Sequence, residues 1–442
     1  MKKLLSGVAF AALLTPLVAG AQKKCGHEYL MDKIYADPGM RATYEQHKKL
    51  AILKDEAAAK STQSTAAYEI PVVVHIVLNQ SQINSIGGTQ GILKRIDSQL
   101  VVLNRDFQKM NGDSTRIPAV FKPLYGNANI LFSLAHRKPN GTSTPGYEII
   151  TTSQSAFNGL GGTIGSQFAC SNVKYTATGG AAAWNTAKYL NIWVCNFTDN
   201  QLLGIAFPKY LVTDFFLPAE EMGVVINYQA FGKRTIPTVT NDPYISGIDK
   251  GRTTTHEIGH FLGLEHIWGE QPNCSDDDGI NDTPQQDDAN GGCPGQNTVY
   301  ANCTSSAGGE MWMNYMDYVD DGCMVMFSKG QVTRMHTTYP STLTPDPSIF
   351  QWPTELLSVE LENQFDVYPN PTNGKININF ATAPGTLQRI EVTNVMGQKV
   401  YEQNATPNTA IYNIDISDKS KGIYFVQCQF SEGKVTRKIV VE

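Results

Sequence analysis

The chain has 442 residues, 17% of them charged, and a formal net charge of −6 at pH 7. That length exceeds one ordinary hydrophobic core, so two or three domains are expected. The acidic balance, with no Lys/Arg run after Lys3, argues against nucleic-acid binding.

In chain order, Lys2 and Lys3 precede an apolar stretch from Leu4 to Val18, followed by Ala19, Gly20 and Ala21. This is the pattern of a secretory signal peptide over residues 1–21, cut before Gln22. No later stretch reaches about 18 apolar residues, so no membrane span is expected once the signal is removed. Lys23 and Lys24 before Cys25 do not suit a lipid-anchored cysteine. Export makes disulfides permissible. Residues 22–66 are charged, Ala-rich and helix-prone, and close on a polar run; they read as a propeptide ending in a cleavable linker.

A folded domain is expected over 67–344. It opens on Ile70–Val77, a strand by β-branched content. Ile92, Ile96, Leu100, Leu103 and Phe107 then recur at helical spacing, which predicts an amphipathic helix packed on a sheet. Further strands are expected at Ile130–His136, Leu190–Cys195 and Val224–Tyr228. The Gly/Asp/Asn/Cys-rich stretch 269–310 shows no periodicity, and a segment of that length inside a domain is usually functional or cross-linked. A helix after Ser328 closes the domain near 343. Pro345, Asp346 and Pro347 open a linker over 345–358. Beyond it, Ile376–Phe380, Ile390–Val395 and Ile423–Phe430 alternate apolar and polar residues, which predicts a small all-β sandwich over 359–442.

The densest chemistry lies in His256-Glu257-Ile258-Gly259-His260-Phe261-Leu262-Gly263-Leu264-Glu265-His266. Histidines four apart on a helix lie one turn above each other, so both rings can reach one zinc ion. Glu257 is rotated about 100° around the helix from its neighbour, beside the ion rather than on it. Gly263 can take φ > 0 and stop the helix, letting the chain turn so that His266 becomes the third ligand. Three protein ligands leave the fourth position open for water, as catalytic zinc requires. With 38 Gly and 8 His in 442 residues, requiring Gly263 and His266 as well as the pair cuts chance matches roughly 600-fold. A core helix with incidental histidines is therefore the weaker reading.

This long motif resembles that of the metzincin clan, in which a Met-turn follows the zinc helix. Met313-Asn314-Tyr315-Met316-Asp317-Tyr318 supplies one, with Met316 fifty residues after His266. Together with Leu190–Asn196, these segments resemble most the pappalysin family. The resemblance covers roughly residues 70–343 and implies an α/β metzincin-type domain, a twisted mixed sheet carrying the zinc helix and Met-turn. It implies a secreted zinc endopeptidase made as a zymogen and acting on proteins or peptides. The competing reading is a non-catalytic surface adhesin on the same scaffold, which a degenerate motif would favour; every required position is filled. Val367–Pro371, Asn394–Gln398, Gly422–Tyr424 and the closing Lys434–Glu442 resemble the C-terminal sorting domain of type IX secretion cargo. That implies the type IX secretion machinery as partner and an extracellular or cell-surface location. A carbohydrate-binding or adhesive sandwich is the alternative there, with no cluster of aromatics to support it.

Cys274, Cys293, Cys303 and Cys323 fall in or near the irregular segment, and four cysteines allow three connectivities. The family resemblance implies Cys274–Cys303 and Cys293–Cys323. Cys170 and Cys195 pair, or Cys195 is a buried strand thiol; both readings stand. The oxygen-rich stretch 276–284 suits a hard cation, and the resemblance places structural calcium on Asp278, the Asn281 carbonyl and Thr283. Glu257 reads as the general base. The resemblance makes Tyr318 the donor to the developing oxyanion. It makes Asp321, five residues after Met316, the base of the pocket for the residue after the scissile bond, where a carboxylate favours Arg over Lys. Cys25, at the start of the propeptide, resembles a latency cysteine, since a thiolate in the fourth zinc position would displace the catalytic water.

Overall fold

A computed structural model describes residues 25–60, 67–158, 171–234, 242–271, 274–303, 308–351, 365–380, 387–395, 398–406, 409–430 and 434–442. The expected signal peptide and Cys170 lie outside the described residues. The chain opens with two helices, α1 (His27–Ala36) and α2 (Pro38–Lys60), where helix-prone sequence was expected. The buried face of α1 carries Leu30, Met31 and Ile34, which pack with Trp193, Ile205 and Phe207 of the following domain.

That domain is built on a mixed sheet. Its strands are β1 (Tyr68–Leu78), β2 (Ile130–Leu134), β3 (Tyr147–Thr151), β4 (Leu190–Cys195), β5 (Gly204–Phe207) and β6 (Gly223–Asn227). The order is β2-β1-β4-β6-β5, and β3 also pairs with β1. All the pairs are parallel except β5 with β6. Strands β3 and β5 go beyond the sequence expectation. β5 is four residues long and buried throughout, so it shows neither the length nor the alternation that marks a strand.

Between β1 and β2 run α3 (Gln80–Ser85) and α4 (Gly88–Phe107). The expected apolar stripe of α4 is realised: Ile92, Ile96, Leu103 and Phe107 are buried in the main core and Leu100 packs against it. The short helix α5 (Lys209–Asp214) follows β5, and α6 (Arg252–Phe261) carries the histidine motif. The last helix of the domain, α7 (Lys329–Thr342), starts where Ser328 and Gln331 form a reciprocal capping box.

Between α6 and α7 the chain has no regular element over 274–303, and the disulfides Cys274–Cys303 and Cys293–Cys323 hold it. This is the pairing the family resemblance implied. Cys195 is a buried free thiol in β4, and Cys428 is another in the C-terminal domain.

The stretch expected to open as linker begins instead as packed chain. Ile349 is buried with Val73, Trp184 and Tyr189, and its carbonyl accepts a hydrogen bond from His136 N at 2.8 Å.

The C-terminal region forms two antiparallel sheets. One is β10 (Lys399–Asn404), β9 (Leu387–Asn394), β12 (Gly422–Phe430) and β13 (Lys434–Val441); the other is β11 (Ile411–Asp415), β8 (Lys375–Phe380) and β7 (Phe365–Tyr368). Ile376, Ile378 and Phe380 from one sheet meet Ile390, Val392, Val426 and Phe430 from the other in a single core. The alternation read from the sequence is therefore a two-layer sandwich. No helix among the described residues is long and apolar enough to cross a membrane.

Candidate metal centre and active site

Helix α6 is buried on every face. Arg252 at its first turn donates to Tyr315 Oη at 2.8 Å and to Met324 O at 2.7 Å, and pairs with Asp106 and Asp113. At the other end Gly263 sits at φ 87°, and a Cβ there would lie 2.6 Å from Thr338 Oγ1. Glycine both reverses the chain and allows α7 to approach. His266 is thereby swung back beside the helix.

The three imidazoles converge. His260 Nε2 lies 3.1 Å from His256 Nε2 and 3.2 Å from His266 Nε2. Two of the other nitrogens are committed, His256 Nδ1 to Tyr315 O at 2.7 Å and His260 Nδ1 to Leu264 O at 2.8 Å, while His266 Nδ1 makes no hydrogen bond and faces the Glu270 carboxylate at 3.7 Å. Nδ1–H donation by His256 and His260 leaves their Nε2 lone pairs facing the His266 ring nitrogen, an arrangement that calls for a cation. A tetrahedral zinc with Zn–N of about 2.05 Å would set the nitrogens about 3.3 Å apart, so the triad fits the ion closely. Burial, with the neighbouring His266 ring, pushes His256 down to about 3, and burial pushes His260 well below the usual histidine range. Both rings are then neutral at pH 7, as metal ligands must be.

Beneath the triad lies the Met-turn. Asn314 Oδ1 accepts from Met316 N at 2.9 Å, and Met316 Sδ packs on Gly259, where a Cβ would come within 2.5 Å of it. A polarizable apolar floor thus contacts the one position of the HEIGH run that has no side chain. Asp317, next in sequence, accepts from Asn290 N, Asn290 Nδ2 and Gln286 Nε2 at 2.7, 2.9 and 3.0 Å. It ties the coreless segment to the Met-turn.

Glu257 is not among the groups that converge as ligands. Burial pushes its carboxyl up to about 8, against the lowering effect of a hydrogen bond from Cys25 Sγ at 3.6 Å. Cys25 Sγ and one nitrogen of each of His256, His260 and His266 all lie within 4.8 Å of one another. The Cys25 segment is held by Gly26 N donating to Gly204 O of β5 at 2.8 Å. Tyr318 Oη lies 3.1 Å from His266 Nε2 and also meets Glu28 of α1.

Asp321 closes one end of the site, in a cavity it shares with Cys25, Leu203, Ile248, Thr253, His256, Glu257 and Met324. Its Oδ2 accepts from Lys250 N at 2.7 Å and Arg252 N at 3.2 Å, and burial pushes the carboxyl up to about 6. In the 276–284 stretch, Asp278 Oδ1 accepts from Thr283 Oγ1 at 2.7 Å and Ile280 N at 3.1 Å, while its buried Oδ2 makes no hydrogen bond. Asn281 is exposed on the same loop.

Sequence reasoning missed several residues of this centre. Glu270 carries a usable signal, since it stands four residues after His266. Arg252, Asp106 and His27 carry none, because their partners are distant in sequence.

Fold and centre together define a class, the metzincin metalloproteases. Comparison with known proteins narrows it. A family profile described as pregnancy-associated plasma protein-A matches residues 177–339, and one described as a secretion system C-terminal sorting domain matches residues 366–442. A promirolysin variant of Tannerella forsythia is 39% identical with a TM-score of 0.60, the match covering 71% of this chain and 93% of that one. Mature mirolysin of the same organism, solved with a cleaved peptide, is 43% identical with a TM-score of 0.53, over 62% and 92%. An extracellular metalloprotease of Arthroderma benhamiae is 41% identical over 151 residues, 34% of this chain and 50% of that protein. That of Arthroderma gypseum is 48% identical over 89 residues, 20% and 29%. The chain spans half or less of these curated relatives. With the solved structures matched over nearly their whole length, the chain belongs to the pappalysin family of metzincins and carries the C-terminal sorting domain of exported proteins.

Proposed function

We propose that the chain is a secreted zinc endopeptidase made as a zymogen. The observation that carries this reading is the convergence of three Nε2 atoms beside a buried glutamate. His256, His260 and His266 would hold one zinc ion. Bound there, zinc supplies Lewis acidity, lowering the pKa of a water from 15.7 toward roughly 7 and polarising a carbonyl. Glu257 takes the proton of the attacking water and delivers it to the leaving amine. Tyr318 donates a hydrogen bond from its hydroxyl to the oxyanion, a role worth about 2.7–4 kcal/mol for such donors.

The buried Asp321 supports cleavage before Arg, then Lys, because a carboxylate at a pocket base meets a guanidinium through two hydrogen bonds. Residues 22–66 act as a prosegment whose Cys25 thiolate fills the fourth ligand position until removal; the sulfur already lies with the three histidines. Calcium on Asp278, the Asn281 carbonyl and Thr283 would give the orphaned Asp278 oxygen its partner. Residues 359–442 hand the protein to type IX secretion machinery, after a signal peptide over 1–21 is removed.

Casein hydrolysis by the activated chain tests the reading. It should stop with a zinc chelator and return on adding zinc. Hydrolysis that continues after zinc is removed and quantified as absent would overturn it, and so would a zinc-loaded activated chain without peptidase activity.

A further inference from the structure

The loop just after the zinc helix is unusually rich in buried carboxylates, and their cationic partners come from α1 and α2. Glu265 receives Lys48 Nζ at 2.9 Å, and the same ammonium reaches Asp276 Oδ1 at 2.9 Å and the Asp277 carbonyl at 2.5 Å. Glu270 faces His27 Nε2 at 3.3 Å, and the His27 ring stacks on His260 with centroids 4.2 Å apart. The Glu265 and Glu270 side chains are 7% and 1% exposed. Glu270 Oε1 is buried yet makes no aligned hydrogen bond, even with His27 in place.

These groups lie along one track. From Cys25, which shares a cavity with Asp321, the chain passes over His260 at His27 and comes back at Lys48. Asp321 lies at the Cys25 end of the track, and Glu270, Glu265 and Asp276 lie past the histidines. On the zymogen reading, on which this inference rests, α1 and α2 leave at activation. Glu265 and Asp276 then lose Lys48 and Glu270 loses His27, keeping only its 3.7 Å approach to His266. Among the described residues, the only cluster tight enough for an ion is the one formed by Cys25 and the three histidines. The spread of Glu265, Glu270 and Asp276 suits a long cationic side chain better than a compact ion, and the Lys48 ammonium shows how one sits there.

We propose that Glu265, Glu270 and Asp276 form a second specificity site in the mature enzyme. It takes the ammonium or guanidinium of a substrate residue on the amino-terminal side of the scissile bond, the place that His27 and Lys48 occupy in the zymogen. Asp321 and this site would together select peptides with basic residues on both sides of the cut. The prosegment blocks both the metal and this acidic site, so it inhibits by occupying substrate positions with substrate-like charges.

The test is cleavage profiling of the activated full chain on a peptide library with Arg fixed after the scissile bond and the four preceding positions varied. Lys or Arg should be enriched at one of those positions, raising kcat/KM roughly tenfold over Ala, the size of one shielded charged hydrogen bond. Glu265→Gln with Asp276→Asn should flatten that enrichment, while the preference for Arg after the cut, read in a separate, fully varied library, stays. Zinc content and melting temperature of the variant show whether the centre is intact. If it does not fold, the wild-type profile alone decides. A flat wild-type profile with Arg still selected after the bond overturns the second site alone, as does enrichment that survives in the folded variant. Loss of Arg selection after the bond in a separate, fully varied library would instead refute the role given to Asp321.

Discussion

Replacing Asp321 separates two functions that one carboxylate performs. Its Oδ2 accepts from Lys250 N at 2.7 Å and Arg252 N at 3.2 Å at the start of α6, and the residue is 1% exposed. Asp321→Asn keeps an oxygen for those amides and loses only the charge, a stability cost of about 1 kcal/mol. Asp321→Ala strands two buried amides at about 1–3 kcal/mol each, so a loss of about 2–6 kcal/mol is expected. Specificity should not follow the same ranking. A hydrogen-bonded guanidinium–carboxylate pair contributes about 1.5–3 kcal/mol, which is roughly 10- to 150-fold in kcat/KM. Both variants should lose it. The assay is kcat/KM on two quenched peptides that differ only in Arg or Ala after the scissile bond, alongside thermal melts. Burial pushes the Asp321 carboxyl up to about 6, so the charge appears as pH rises through that value. The Arg preference should accordingly be greater near pH 7.5 than near pH 5, which lie on opposite sides of the midpoint. An Asp321→Asn enzyme that keeps its Arg preference within twofold would refute the reasoning.

Cys25→Ala should shorten the activation lag of the purified proform several-fold, read by time-resolved gel analysis; an unchanged lag would remove the thiol from latency. Arg252→Met should cost about 3–5 kcal/mol, because it leaves buried Asp106 without its cation; a melting temperature within about 2 °C of wild type would show that the network is dispensable. Calcium chelation should lower the melting temperature of wild type and have little effect on Asp278→Ala, since that substitution removes the proposed ligand; equal responses would place any calcium elsewhere.

The zinc centre was legible because its ligands lie within eleven residues on one helix and the turn after it, where periodicity alone sets the geometry. Gly263 and Ser328 likewise announced local events, a helix stop and a helix start, and both occur. The stripe from Ile92 to Phe107 was legible for the same reason. What escaped depends on contacts across long stretches of chain. Strand β5 is four residues of fully buried chain, and only its pairing with β6 makes it a strand. Arg252 looks like an ordinary charged helix start, yet it is buried by Asp106, Asp113 and Tyr315. His27 is one of eight histidines, and its stacking on His260 spans more than two hundred residues. The disulfide pairing came from family resemblance, because spacing left three connectivities open.

The account rests on Glu257 moving a proton at a centre that it does not itself hold together. The most direct measurement pairs zinc content with turnover in Glu257→Ala. The account predicts about one zinc per chain, an intact fold, and peptide hydrolysis below a few per cent of wild type, within the range general-base removal usually produces. Activity retained above that level, with zinc still bound, would contradict it.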